Sequence, residues 1–97
     1  MDEKYVKMSR IFKALADPKR VQIIDMLSDG EQCACLLLEH FQVTQPTLSH
    51  DMKVLIDAGV VKSRRVGQRT LYSLNMDELK QMQKTLKKIL LTDFPSD

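Results

Sequence analysis

The sequence predicts a mainly α-helical chain that carries one small β-hairpin. Apolar residues return at helical spacing in several separate stretches; residues 60–74 alone change to β-branched and aromatic types around a glycine; and Asp-Pro, Asp-Gly and a lone glycine punctuate the stretches. A chain of 97 residues holds one core, so a single domain is expected over residues 1–92 with a flexible tail over 93–97. Hydrophobic residues make up 43% and charged residues 29%, which is ordinary globular usage and excludes a disordered chain. A chain this short buries only about 60–65% of its unfolded surface, so a second copy is expected to cover some apolar surface. The longest apolar run, Cys33 to Leu38, is far below the roughly 18 residues of a membrane span, so a soluble, cytoplasmic protein with no membrane partner is expected.

Tyr5, Met8, Phe12 and Leu15 mark one face of a first helix, over about 4–16. Asp17-Pro18 ends it and opens a second, with Asp17 as N-cap and Pro18 at the first position; Val21, Ile23, Ile24 and Leu27 form its core stripe, and Asp29-Gly30 closes it. A short third helix is expected over about 32–40. Thr44 caps a fourth over 45–58, with Leu48, Met52, Leu55 and Ile56 on one face, and Gly59 ends it. Strands over Val60–Val66 and Thr70–Leu74 flank Gly67-Gln68-Arg69. Asn75 and Glu78 read as a capping box for a last helix over about 76–91, striped by Leu79, Met82, Leu86 and Ile89. The stripes of the two terminal helices are narrow, like a seam, and are expected to pack against each other across a twofold axis.

Net charge is only +2, but it is unevenly placed. Residues 44–75 carry Lys53, Lys62, Arg64, Arg65 and Arg69 against Asp51 and Asp57. The order helix, helix, short helix, tight turn Phe41-Gln42-Val43-Thr44, polar-faced helix, basic hairpin, helix is that of a winged helix-turn-helix. Gln45, Thr47, Ser49 and His50 lie in the N-terminal half of the fourth helix, the part that enters a major groove, and offer donors and acceptors to base edges. Lys53 is placed to meet a phosphate. Arg64, Arg65 and Arg69 on the hairpin can grip the flanking backbone or enter the minor groove, setting affinity and salt dependence more than sequence choice. The expected partner is double-stranded DNA.

Three stretches carry a family resemblance: Ile11-Phe12-Lys13-Ala14-Leu15-Ala16-Asp17-Pro18-Lys19-Arg20; Thr44-Gln45-Pro46-Thr47-Leu48-Ser49-His50 with Leu55 and Ala58-Gly59-Val60-Val61; and Leu71-Tyr72-Ser73-Leu74. Together they resemble the ArsR/SmtB family of bacterial metal-responsive repressors. The resemblance implies a homodimer that binds an inverted repeat in an operator and leaves it when an effector binds. Its dimer interface would use Tyr5, Met8, Phe12, Leu79, Met82, Leu86 and Ile89. One departure is Asp51, where similar members often carry a second histidine.

Cys33-Ala34-Cys35 is similar to the cysteine box by which arsenic- and cadmium-responsive members hold thiophilic ions on the third helix. Soft thiolates suit As(III), Sb(III), Cd(II) or Pb(II). Leu38 stands where such arsenic sensors often have a third cysteine, so a third ligand must come from water, a small thiol or another chain, which favours As(III) or Sb(III) over cadmium. On an intact helix, residues i and i+2 point roughly 200° apart, so chelation is expected to unwind the start of the third helix and tilt the fourth. Two other readings stay open: a pair of small buried apolar residues, or a redox pair that forms a disulfide or captures a persulfide. His40 reads as a helix-end residue, and the last helix offers no histidine for a zinc site. No motif activates a cysteine for catalysis and no glycine-rich phosphate loop occurs, so an enzyme is not expected.

Overall fold

The structure is a computed structural model that describes residues 1–92, with side chains described to residue 90. The elements are α1 (Glu3–Ala14), α2 (Pro18–Leu27), β1 (Gln32–Cys33), α3 (Ala34–Phe41), α4 (Gln45–Asp57), β2 (Val61–Val66), β3 (Arg69–Leu74) and α5 (Met76–Thr92). The fold is mainly helical, with a three-stranded antiparallel sheet in the order β1-β3-β2. The tail expected over 93–97 lies outside the described residues.

Local chemistry sets most boundaries. Asp17 accepts the Arg20 N–H at 3.1 Å and Pro18 follows, so α2 starts where the Asp-Pro pair predicts. Thr44 caps α4 by accepting the Thr47 N–H at 3.4 Å. At the other end of α4, Gly59 (φ +86°) lets the chain reverse: its N–H reaches the Ile56 carbonyl, and Val60 N–H reaches Leu55. We expect Thr44→Ala to lower stability by about 1 kcal/mol, read as a lower midpoint in urea unfolding.

Four expectations are corrected. Residues 32 and 33 pair with β3 instead of opening the third helix, with Gln32 opposite Tyr72 and Cys33 opposite Leu71. Arg69 belongs to β3, opposite Val66, so only Gly67 and Gln68 form the hairpin turn. The capping box at α5 does not form, because the Asn75 N–H that Glu78 would satisfy already donates to the Val60 carbonyl at 2.8 Å and Glu78 faces Lys7 instead. Val21 is half exposed, since the buried stripe of α2 runs through Ile23 and Leu27.

Ile11 and Ala14 of α1, Ile23 and Leu27 of α2, and Ala34 and Leu37 of α3 meet Leu48, Met52 and Leu55 of α4 with Val60, Val61 and Tyr72 of the sheet. The core therefore lies under the inner face of α4 and fixes which face of that helix looks outward. The chain's radius of gyration is 15.1 Å, against about 13 Å for a compact chain of this length. Tyr5, Phe12, Ile89 and Leu90 remain exposed at 46–47% on the two terminal helices. Met8, expected at the interface, is 6% exposed within the single chain and is already buried on the inner face of α1. A groove of about 640 Å³ between α1 and α5 is lined by Met8, Ile11 and Met82 and rimmed by Lys7, Glu78 and Lys84.

Candidate nucleic-acid interface and dithiol site

The turn between α3 and α4, expected over Phe41-Gln42-Val43-Thr44, rests on a backbone conformation that the sequence does not announce. Gln42 adopts the left-handed conformation (φ 53°, ψ 43°) and its N–H returns to the Leu38 carbonyl at 2.8 Å, closing α3 and aiming the chain into Thr44. Only the turn's length was a signal; a glutamine at positive φ leaves none. Beyond it, α4 buries Leu48, Met52 and Leu55 and exposes Gln45, Thr47, Ser49, His50 and Lys53 together. The Thr47 hydroxyl accepts from that of Thr44 at 3.0 Å, which fixes its direction, and Lys53 bonds Asp57 one turn on at 3.1 Å, an exposed pair that phosphate can displace.

Asp51 sits on the same helix but points the other way. It is 4% exposed, and its carboxylate is ion-paired to Lys19 Nζ at 2.7 Å and Arg20 Nη1 at 3.2 Å, both from the first turn of α2. It is not a base-contacting residue.

The wing divides its arginines. Arg65 and Arg69 are exposed and form no ion pair among the described residues. Arg64 instead makes a two-pronged contact with Glu31, Nε to Oε2 at 2.8 Å and Nη2 to Oε1 at 2.7 Å. In this state a carboxylate from the segment before the cysteines holds Arg64, in an exposed pair like that of Lys53. The Arg64 guanidinium holds the Glu31 carboxyl below the ordinary value of 4.5, chiefly through the hydrogen bond. A carboxyl so lowered favours the pair above its unfolded pKa and loses it as pH falls through the folded one. We expect the Glu31 carboxyl resonance in NMR to titrate below 4.5, and to return toward that value in Arg64→Gln.

Cys33 and Cys35 are brought together, and without any break in the helix. Cys33 is the N-cap of α3, in extended conformation (φ −73°, ψ 142°), and its Sγ accepts the Cys35 N–H at 3.1 Å. The expected opposed orientation assumed both residues inside the helix; with Cys33 outside it, the Cα atoms are 5.2 Å apart and the sulfurs are joined as a disulfide. The pair opens onto a recess of about 390 Å³ lined by Glu31, Glu39, Leu36, Leu71 and Arg69. Among the described residues, no group of three or more His, Cys, Asp or Glu is gathered to hold a metal ion. His40 Nε2 lies 3.0 Å from Gln22 Nε2 and stands edge-on to Phe41, a helix-end placement away from the cysteines.

A short helix and a polar-faced helix joined by a tight turn, with a basic two-stranded wing behind them, define a winged helix-turn-helix DNA-binding protein. The description of bacterial regulatory proteins of the arsR family matches residues 17–63. An arsenical resistance operon repressor of Staphylococcus xylosus is 48% identical over 92% of this chain and 86% of its own length. An arsenical resistance operon repressor of Staphylococcus aureus is 54% identical over 73% of this chain and 68% of its own length. The solved structure of an ArsR-like transcriptional regulator from Rhodococcus sp. RHA1 superposes with a TM-score of 0.76 at 28% identity, over 88% of this chain and 80% of that one. The chain belongs to the arsR family of bacterial regulatory proteins and is a DNA-binding transcriptional regulator.

Proposed function

We propose that this protein is a metalloid-responsive repressor: as a homodimer it binds an operator inverted repeat and releases it when As(III) or Sb(III) is chelated by Cys33 and Cys35. The observation that carries the reading is the cysteine pair itself, set at the junction of β1 and α3 with both sulfurs side by side over an open recess. The staphylococcal relatives are arsenical resistance operon repressors, which favours an arsenical inducer. In the dimer, Tyr5 and Phe12 of α1 and Ile89 of α5 would be covered by the second copy, beside Leu79, Met82 and Leu86. The chain acts by binding, not by catalysis, and meets its operator in the cytoplasm; no described helix is long and apolar enough to cross a membrane.

The chemistry balances on the reduced pair. Two thiols displace two hydroxides of arsenous acid, forming two As–S bonds and releasing two waters, and the third position keeps a hydroxide or takes an outside thiol. Chelation needs the Cys33 sulfur, which now accepts the Cys35 N–H, so the cap of α3 is altered directly. The strain has two routes outward. One runs through α3 and the Gln42 turn to α4. The other runs across the sheet, where Cys33 lies opposite Leu71 and Leu71 opposite Arg64, with Glu31 bridging to that same arginine. Shifting a population from 99:1 to 1:99 requires about 5.5 kcal/mol of differential affinity, within what multidentate thiolate binding supplies.

The disulfide between Cys33 and Cys35 favours a second reading, in which the same repressor answers thiol oxidation or a persulfide; a different soft ion, Cd(II) or Pb(II), is the remaining alternative. Fluorescence anisotropy of labelled operator separates them. The reduced protein should release DNA on arsenite or antimonite and hold it on zinc and cadmium. Release by peroxide with no response to arsenite would transfer the function to the redox reading.

A further inference from the structure

The Lys19–Asp51–Arg20 cluster has no part in the reading above, yet it is the most enclosed set of charges among the described residues. Asp51 is the one charged residue of the described chain counted among the buried. It sits one residue after His50 on α4, with its carboxylate turned onto the start of α2. Arg20 carries the contact further: its Nη1 meets Asp51 while its Nε donates to the Ala14 carbonyl at 2.6 Å, at the end of α1. One carboxylate thus ties α4 to the α1–α2 junction. It also engages two cations beside the DNA-facing residues, since Lys19, Thr47 and His50 line one shallow recess with Asp51.

We propose that Asp51 is a positioning residue that sets operator discrimination in two ways. Its ion pairs fix the rotation of α4 about its own axis, so that Gln45, Ser49 and His50 meet base edges in one register. They also withhold Lys19 from the phosphate backbone, suppressing sequence-independent binding. A lysine at the rim of a DNA-facing recess adds affinity for any duplex, and that affinity erodes specificity. The net effect of Asp51 is weaker binding to non-operator DNA and a larger gap between operator and non-operator. The inference rests on α4 being the reading helix.

Affinities of Asp51→Asn, Lys19→Met and the double variant for operator and scrambled duplex, across a salt series, test this. Asp51→Asn should bind scrambled DNA more tightly, with log K against log salt steeper by about 0.9 per subunit, one phosphate each, and the operator-to-scrambled ratio should fall by about tenfold or more. Lys19→Met should leave the wild-type slope unchanged, and the double variant should return it to wild type while the ratio stays low. Wild-type slope and ratio in folded Asp51→Asn would overturn the proposal. So would a flatter slope in Lys19→Met alone, which would mean that Lys19 already meets phosphate; that variant decides the matter should Asp51→Asn not fold. A wild-type protein without operator preference would instead count against α4 as the reading helix.

Discussion

Replacing either cysteine by serine should abolish release of the operator by arsenite while leaving operator binding intact. The expected loss is large: if chelation supplies about 5.5 kcal/mol of differential affinity, removing one of its two thiolates should move the arsenite midpoint by at least about 100-fold, beyond any accessible range. The fold should tolerate the change unusually well. Cys33 is an N-cap whose sulfur accepts the Cys35 N–H, and serine is among the preferred residues at that position. Cys33→Ser therefore keeps or strengthens the cap, and a lost response cannot be charged to a damaged helix. Cys35 is exposed, so its hydroxyl replacement desolvates nothing. Operator titrations of both variants with and without arsenite check this; release at the wild-type arsenite concentration in either would remove that cysteine from the site.

Leu55→Ala should cost about 2–5 kcal/mol of folding stability. Leu55 is fully buried on the inner face of α4, where it meets the core shared with Ile23, Leu37 and Val60, and its carbonyl also receives the Val60 N–H that closes the helix. Domains of this size have about 5–15 kcal/mol in total, so the variant should lie close to unfolding at growth temperature. Because the same side chain seats the helix that carries the proposed DNA-reading face, operator affinity should fall with stability. Urea denaturation and operator binding measured on one preparation check both; a variant as stable as the wild type would mean that α4 is not held by this core.

What was legible in the sequence was local. Thr44, Asp17 and Gly59 set helix ends through bonds to residues three or four positions away, and Pro18 through its fixed φ, so their roles followed from spacing alone. The outward set on α4 followed from the helical repeat, since Leu48, Met52 and Leu55 fix the opposite face. What was not legible depended on distant partners. A two-residue strand has no periodicity to betray it, and β1 exists only because Tyr72 and Leu71 stand opposite. That strand moves Cys33 out of the helix and brings the sulfurs together, reversing the expected geometry of the pair. In the same way Arg64 reads as a free wing cation until Glu31 is folded against it, and Asp51 reads only as a departure from the family's usual histidine until Lys19 and Arg20 enclose it.

The central claim is that occupancy of the Cys33–Cys35 pair by a trivalent metalloid is what empties the operator. The most direct test follows both events in one sample: the reduced protein on labelled operator is titrated with arsenite while ultraviolet absorption reports As–S bonds and anisotropy reports bound DNA. The account predicts one arsenite per subunit, with DNA release tracking absorbance throughout the titration. Saturated As–S absorption with the operator still bound, or release before any As–S bond forms, would contradict it.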